Sequence, residues 1–453
     1  MTLPTLTTYR GFLPRFYRLA SVAVLSNMMV PLAGLFDAAF LGHLADINQL
    51  AGVILGGILF DYLYRVLKFL RNSTNALTAN AAGQDDAIAI LVAVFRCGLI
   101  ALVISGGMLL LQYPIHKLGF AILSGTSDIE GAGIDYFSAR IWGAPAVLLN
   151  FVLIGWFLGR EMNGIVFLMS LVGNGSNVIF DYLMILKWGW ASTGAGLATA
   201  LSQYLALGIG LTALVLSTQW QFVKPAWEQV IDRQGLTSAV VLKGNILVRF
   251  VALISAYAIF TNLSASFSTE LLAENGLLLQ IVLLSQFTVQ GVGMTAQTLI
   301  GNFKGKGLTD QILPVLQVAL TTALAIAFVF AIGSNVYPDV VFGLLTNHAD
   351  VSQAMKNSVP WLLPVLTLTA TAFMLEGYFI GIKDGATLRN GSIVGFMLGF
   401  LPLVCLAQFQ RNEALLWGGL TAYMGLLSGF LTYQLIKTHK RLFQDDANSI
   451  VTS

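Results

Sequence analysis

Charged residues are scarce in this chain: Asp, Glu, Lys and Arg make up 10% of its 453 residues, against about 25% in soluble domains. Hydrophobic residues make up 56%, and the mean hydropathy is +0.77. This composition excludes a soluble globular protein and predicts a polytopic protein whose main partner is the lipid bilayer. The net charge of +2 is too small to indicate a nucleic-acid partner.

Cysteine and histidine are also rare, with two and four residues respectively. Cys97 and Cys405 suggest no disulfide framework, and no His or Cys spacing suits a metal. A Walker pattern and a His-Glu-x-x-His pattern are both missing, which argues against an enzyme and against ATP-driven transport. We therefore expect no cofactor, and no metal beyond a possible transported sodium ion. No cleavable targeting segment is evident, so we expect a bacterial inner-membrane location.

What the chain does contain is a series of long apolar runs, each of about twenty residues or more. They predict an all-α fold of twelve transmembrane helices. The predicted spans are 15–42, 49–80, 87–112, 130–158, 162–186, 192–217, 238–263, 270–302, 310–334, 353–381, 387–409 and 412–436.

The segment 219–236 is the longest connection and divides the spans six and six. It predicts an N-terminal lobe (1–218), an inter-lobe loop (219–236) and a C-terminal lobe (237–453). Seventeen Lys and Arg residues fall on the side of the termini, against four on the other side. The positive-inside rule then places both termini and the loop in the cytoplasm.

The two halves resemble each other at an offset of 222 residues. The stretch 155–159 (GWFLG) matches 377–381 (GYFIG), and the same offset pairs Ser170, Val172 and Gly173 with Ser392, Val394 and Gly395. Both stretches follow the same span of their half, so the repeat has one orientation. Such six-helix lobes are expected to be related by a pseudo-two-fold axis along the membrane normal. Chance similarity among glycine-rich helices is the alternative.

Asp37 is a carboxylate within the first apolar run. Ionisable groups at that depth are costly and usually functional. Pro31 and Gly34 precede it and would loosen the helix that carries it, so we interpret them as a hinge. The alternative is a buried acid paired with Arg140 or another base.

Several stretches together resemble the MATE family, the multidrug and toxic compound extrusion transporters, and within it the DinF-like branch. They are 31–44 (PLAGLFDAAFLGHL), 69–71 (FLR), 77–79 (LTA), 136–141 (YFSARI), 155–159 (GWFLG), 177–182 (NVIFDY) and 196–200 (GLATA). The resemblance implies two six-helix lobes facing each other across a V-shaped cavity. It also implies export of organic compounds against inward flow of protons or sodium ions.

The resemblance further implies that Asp37, Asn177, Asp181 and Thr199 gather in the first lobe as a cation-coupling site. Asn177 and Asp181 are four residues apart and share one face of the fifth helix. Their oxygen atoms suit a hard cation, and two nearby carboxyl groups suit a proton. Asp181 could instead simply end its helix. Tyr136 and Asn150, on the fourth helix, are weaker candidates.

Polar groups of the second lobe are Arg249, Gln290, Gln297 and Glu376. The resemblance implies acids at the positions of Gln290 and Gln297, so this lobe has lost ionisable groups. Glu376 remains as a candidate acid for substrate or ion, and a partner of Arg249 or Lys383 is the alternative.

The second helix carries further charges at helical spacing. Asp61 and Arg65 can pair at i, i+4, while Lys68 and Arg71 either snorkel to the surface or form a basic patch for an anionic substrate. We favour the first interpretation.

The expected function is secondary active efflux of a small organic compound by a monomer, by antiport with H⁺ or Na⁺. Alternatives are a flippase for lipid-linked substrates, an organic-acid exporter, an uptake carrier and a scaffolding protein. Intramembrane acids argue against the last of these.

Overall fold

The computed structural model describes residues 6–42, 47–122, 127–230, 233–338, 341, 355 and 357–451. These residues form helices and short turns, without a strand. The side chains of residues 30–39, inside the first helix, lie outside the description. The predicted all-α membrane fold is confirmed, as expected for apolar segments that must satisfy their backbone hydrogen bonds internally.

In the described part of the chain, eleven helices are long and apolar enough to cross a membrane. Each overlaps one predicted span, and the predicted span 15–42 falls in the first helix, α1 (Leu6–Gly42). The others are α2 (Asn48–Gly83), α3 (Ala87–Leu110), α4 (Ser127–Gly159), α5 (Asn163–Lys187), α6 (Ala191–Ser217), α7 (Gly244–Phe267), α8 (Glu274–Gly305), α9 (Thr309–Val336), α10 (Val359–Gly381), α11 (Gly385–Gln410) and α12 (Glu413–Lys437).

Packing divides the chain into two compact units, which we call the first lobe (Leu25–Val240) and the second lobe (Met1–Val24 with Val241–Ser453). This division differs from the predicted boundaries 1–218, 219–236 and 237–453, because the described residues from Leu6 to Val24 pack with the second lobe. The reason is a set of contacts with α8. Phe12 meets the edge of the Phe303 ring at a centroid distance of 6.4 Å, and Arg15 Nη2 donates to Asn302 Oδ1 at 3.2 Å.

The connection between α6 and α7 is anchored to α3 of the first lobe. It contains a helix at Val223–Val230, whose carbonyl oxygens at Gln229 and Val230 accept hydrogen bonds from Arg96 at 2.6 and 3.2 Å. Trp227 packs against the ring of Phe95 at a centroid distance of 5.8 Å. An arginine at a helix C-terminus satisfies carbonyls that lack partners within the helix.

The internal repeat reappears in the turns of the backbone. Of the seven described residues with positive φ, six form pairs that are 222 positions apart, and Ala191 (44°) has no such counterpart. The pairs are Asp85 (54°) with Gly307 (71°), Glu161 (60°) with Lys383 (66°), and Gly189 (69°) with Arg411 (49°). Because turn geometry is independent of apolar composition, this correspondence argues strongly against chance similarity.

The two matching glycine motifs perform the same packing task in their lobes. A Cβ atom on Gly155 of α4 would lie 2.3 Å from the carbonyl oxygen of Arg71 on α2. A Cβ atom on Gly377 of α10 would lie 2.7 Å from the carbonyl oxygen of Gly293 on α8. Small residues allow helix backbones to approach closely in membranes. The motif therefore lies at a close helix crossing in each lobe.

We expect Gly155→Ala to destabilise the protein by about 1–3 kcal/mol, because the added methyl group meets a backbone oxygen that cannot rotate away. Thermal unfolding in detergent measures the effect. The matched control is Gly164→Ala on α5, where the new Cβ meets nothing within 4 Å and improved helix propensity should leave stability unchanged or slightly raised. Equal unfolding temperatures for the two variants would contradict this packing role.

Candidate functional site

Asn177 and Asp181 form a buried pair on α5. The Asn177 amide Nδ2 donates to Asp181 Oδ2 at 2.8 Å, and Asp181 is 0% exposed. The predicted shared helix face is therefore confirmed. A π-helical turn, Tyr182–Lys187, follows Asp181 directly, and such turns are frequent at functional sites.

Thr199 and Asn150 have partners on or along α6. The half-buried Thr199 donates its hydroxyl proton to the carbonyl oxygen of Ala195 at 2.9 Å, so the oxygen lone pairs face away from that bond. The buried Asn150 amide on α4 donates to the Gln203 carbonyl oxygen at 2.9 Å and to Gln203 Oε1 at 3.2 Å. Asn150 therefore joins α4 to α6, a structural task the sequence did not indicate.

Tyr136 belongs to an aromatic box around an arginine. Its hydroxyl accepts a hydrogen bond from Arg140 Nη1, and the Arg140 guanidinium carbon lies 4.7 Å from the Phe60 ring centroid and 5.9 Å from that of Tyr64. Tyr136 is 4% exposed, so it is not an interfacial anchor. Cation–π contacts stabilise a charge that is withdrawn from water.

Asp37, Pro31 and Gly34 all lie in α1, which is helical from Leu6 to Gly42. Their side chains fall outside the described residues. The role of Asp37 in coupling and the hinge at Pro31 and Gly34 stay predictions.

Glu376 of the second lobe is paired with Arg249. Arg249 Nη2 lies 2.7 Å from Glu376 Oε2, with the two side chains 2% and 11% exposed. The Arg249 guanidinium also lies 5.3 Å from the Phe373 ring centroid. Of the two partners considered for Glu376, the structure therefore selects Arg249 over Lys383. Lys383 lies in the turn after α10, where burial and then the neighbouring Lys304 lower its pKa to about 8.

The two glutamines of α8 differ in their surroundings. Gln297 is 2% exposed. Its backbone carbonyl oxygen would lie 2.9 Å from a Cβ atom added to Gly381, where α8 crosses α10. Gln290, two turns earlier, is half-buried. The backbone of Gln297 therefore lies at this helix crossing, and the substrate role of Gln290 and Gln297 stays a prediction.

The charges of α2 follow the interpretation that we favour only in part. Asp61 and Arg65 form the expected pair, but Arg71 is buried and does not snorkel to the surface. Arg65 Nη2 lies 3.3 Å from Asp61 Oδ2, one turn away. Arg71 is buried and donates to Asn27 Oδ1 at 3.3 Å. Lys68 lies between these groups on the same helix.

One acidic cluster of the second lobe was missed by the sequence analysis. Glu274 of α8 and Glu413 of α12 meet at Ser358, next to the first residue of α10. The sequence did contain a signal for this cluster, because Glu274 is an acid within the predicted span 270–302. Sequence spacing could not show that residues so far apart share one site.

The two-lobed helical fold and the buried polar groups in its spans define the class of the protein. It is a multi-pass membrane transporter. A solved structure of an outward-facing multidrug resistance MATE family transporter of the MOP superfamily shares this fold. Its TM-score is 0.85 at 16% identity, covering 94% of this chain and 96% of that one.

A family model described as MatE matches residues 23–183 and 246–404, one copy in each half. The chain belongs to this family, the MATE transporters. It is 28% identical to the DNA damage-inducible protein F of Escherichia coli K12 over 90% of this chain and 89% of that protein. It is 23% identical to a probable multidrug resistance protein NorM of Thermotoga maritima, over 79% of this chain and 76% of that one. The resemblance to the DinF-like branch is confirmed.

Proposed function

We propose that this protein exports organic compounds from the cell by antiport with protons or sodium ions, and that the first lobe couples the ion. The observation that carries the proposal is the fully buried Asp181 with Asn177 as hydrogen-bond donor. A carboxyl group in a membrane helix is costly and is retained for ion or substrate pathways.

The Asn177–Asp181 pair supports a specific response to the ion. In the bond described, the Asn177 amide presents its N–H to the carboxylate. A proton on Asp181 Oδ2 would place two hydrogen-bond donors against each other, and a sodium ion bound there would need oxygen ligands rather than an N–H group. Either ion therefore favours reversal of the amide, so that Asn177 presents its carbonyl oxygen. The Thr199 hydroxyl oxygen, whose proton is already donated to Ala195, is a further ligand for sodium.

Reconstituted vesicles test this function. We expect an imposed pH gradient or sodium gradient to drive movement of a fluorescent organic cation, ethidium, in the direction opposite to the ion. Collapse of the gradient by an ionophore should stop it. A fluorescent organic anion and a fluorescent lipid serve as parallel probes for the organic-acid exporter and the flippase. Movement of the lipid alone, independent of either gradient, would overturn the proposal.

The orientation of the protein is a separate prediction. We expect a monomer in the bacterial inner membrane, with both termini and the connection 219–236 in the cytoplasm. The chain has only two native cysteines, Cys97 and Cys405, so a cysteine-free background is accessible. A cysteine introduced at Lys224 should be protected from an impermeant maleimide in intact cells, whereas one at Lys117 should react. The reverse labelling pattern would invert the topology.

A further inference from the structure

Three helices of the second lobe begin close together around two carboxyl groups. Ser358, just before α10, donates its hydroxyl proton to Glu413 Oε1, at the first residue of α12. Glu274 of α8 interacts with the same Ser358 hydroxyl and with the charge of Glu413. Glu274 is 6% exposed and Ser358 4% exposed. Glu274 is therefore held away from water, and the half-buried Glu413 lies beside it.

The number of available protons constrains the charge of this cluster. A serine hydroxyl has one proton to donate, and Ser358 gives it to Glu413. Ser358 interacts with Glu274 as well, but it cannot donate to both acids at once. The acid that does not receive the proton meets only lone pairs, which repel an ionised carboxylate. In addition, the buried Glu274 Oε1 has no hydrogen-bond partner among the described residues. An ionised carboxylate is strongly disfavoured there.

We propose that Glu274, Ser358 and Glu413 form a proton-binding site, in which the two carboxyl groups share one proton through the serine hydroxyl. A proton on Glu274 turns that side chain into a donor toward the Ser358 oxygen. The chain then runs from Glu274 through Ser358 to an ionised Glu413, with every hydrogen bond satisfied. Like charges at close range prevent both acids from ionising together.

The neighbouring helices supply neutral partners to this region. The amide of Asn275, next to Glu274, donates to Ser264 on α7 at 2.9 Å and accepts from Trp417 on α12 at 2.9 Å. On α9, Asn335 donates to its own helix and to the carbonyl oxygen of Val359. Arg411 is exposed and, in the described part of the chain, forms no ion pair with either acid. The described surroundings therefore hold no cation that would stabilise two carboxylates.

This site gives the second lobe an ionisable group that the sequence analysis did not assign to it. By the predicted topology, α8, α10 and α12 all begin at the outer face of the membrane, so the proton would exchange with the external solution. Loss of the proton would place two like charges at the point where the three helices meet. We infer that an alkaline exterior loosens this end of the lobe.

Infrared spectroscopy of the full-length purified protein, without substrate or gradient, tests the proton directly. At neutral pH we expect Glu274→Gln to lose one carboxylic-acid C=O band, and Glu413→Gln to lose the same band. Either change leaves a single acid, which can ionise because the Ser358 hydroxyl donates its hydrogen bond to it. The matched control Glu228→Gln removes an exposed acid of the inter-lobe connection and should keep the band. Ser358→Ala should shift its frequency by removing the bridging hydroxyl.

A second measurement covers variants that fold poorly. The unfolding temperature of the wild type should fall as pH rises from neutral to alkaline, since the folded site holds a proton that the unfolded chain releases. Ser358→Ala should alter the midpoint of that fall, and Glu228→Gln should not. An unchanged C=O band in both glutamine variants would overturn the proposal. So would a band that responds to sodium and not to pH. Neither result depends on whether transport by the first lobe is observed.

Discussion

Asp37→Asn is expected to abolish gradient-driven export while the protein still inserts and folds. The amide keeps the shape of the side chain, but it cannot exchange a proton and it binds a cation more weakly. A charged Asp costs about 2.5–3.5 kcal/mol at the centre of a membrane helix by insertion measurements, and less for Asp37, which lies in the last turns of α1. Binding of the coupling ion removes that cost, which is enough to shift a conformational equilibrium substantially. Ethidium movement in vesicles measures the loss.

The matched control for this variant is Asp61→Asn on α2. It makes the same chemical change, but Asp61 is 63% exposed and pairs with Arg65 one turn away. Exposed pairs of this kind contribute little to stability, so export should be nearly unchanged. Asp181→Asn should weaken coupling to a lesser or comparable degree, because it disturbs the bond from Asn177. Full gradient-driven export by Asp37→Asn would remove this residue from the mechanism.

The spans and the repeat were predictable because their signals are local. A run of about twenty apolar residues is visible in the sequence, and so is a glycine pair at four-residue spacing. The structure adds that Gly155 and Gly377 each face a backbone carbonyl of a neighbouring helix. The pairing of Asn177 with Asp181 was predictable for the same reason, since helical geometry alone places residues i and i+4 together.

Contacts between distant residues were not predictable in this way. Arg249 and Glu376 are separated by 127 residues in the sequence. Several other charged residues could have been the partner of Arg249 or of Glu376. Asn150 looked like a candidate ligand, but its amide is occupied by Gln203 on another helix. The attachment of the described residues from Leu6 to Val24 to the second lobe also depends on tertiary packing, because an unbroken helix carries no local signal of which lobe each part joins.

The buried pair Arg249–Glu376 yields the largest stability effect that we expect. Glu376→Gln removes the carboxylate and leaves a guanidinium that is 2% exposed without its counter-charge. Breaking a buried ion pair from one side typically costs about 3–5 kcal/mol. We expect a marked fall in the unfolding temperature, together with reduced substrate handling.

Replacing both partners separates the pair interaction from the loss of either side chain. The double variant Arg249→Gln with Glu376→Gln leaves no buried charge and should recover most of the lost stability, since neutral replacement of a buried pair is often tolerated. The exposed pair Arg65–Asp61 provides the control, where Asp61→Asn should change stability by about 1 kcal/mol or less. A double variant as unstable as Glu376→Gln alone would show that the ion pair is not the cause.

The same variants decide which lobe couples the ion. Glutamine cannot titrate, so Gln290 and Gln297 carry no protons, and Glu376 is held by Arg249. Distance labels placed within the folded protein should therefore still report an ion-dependent conformational change in Glu376→Gln, measured at a temperature where that variant is folded. Asp37→Asn should lose that change. If Glu376→Gln eliminates the response and Asp37→Asn preserves it, the coupling site lies in the second lobe, and the buried pair becomes its centre.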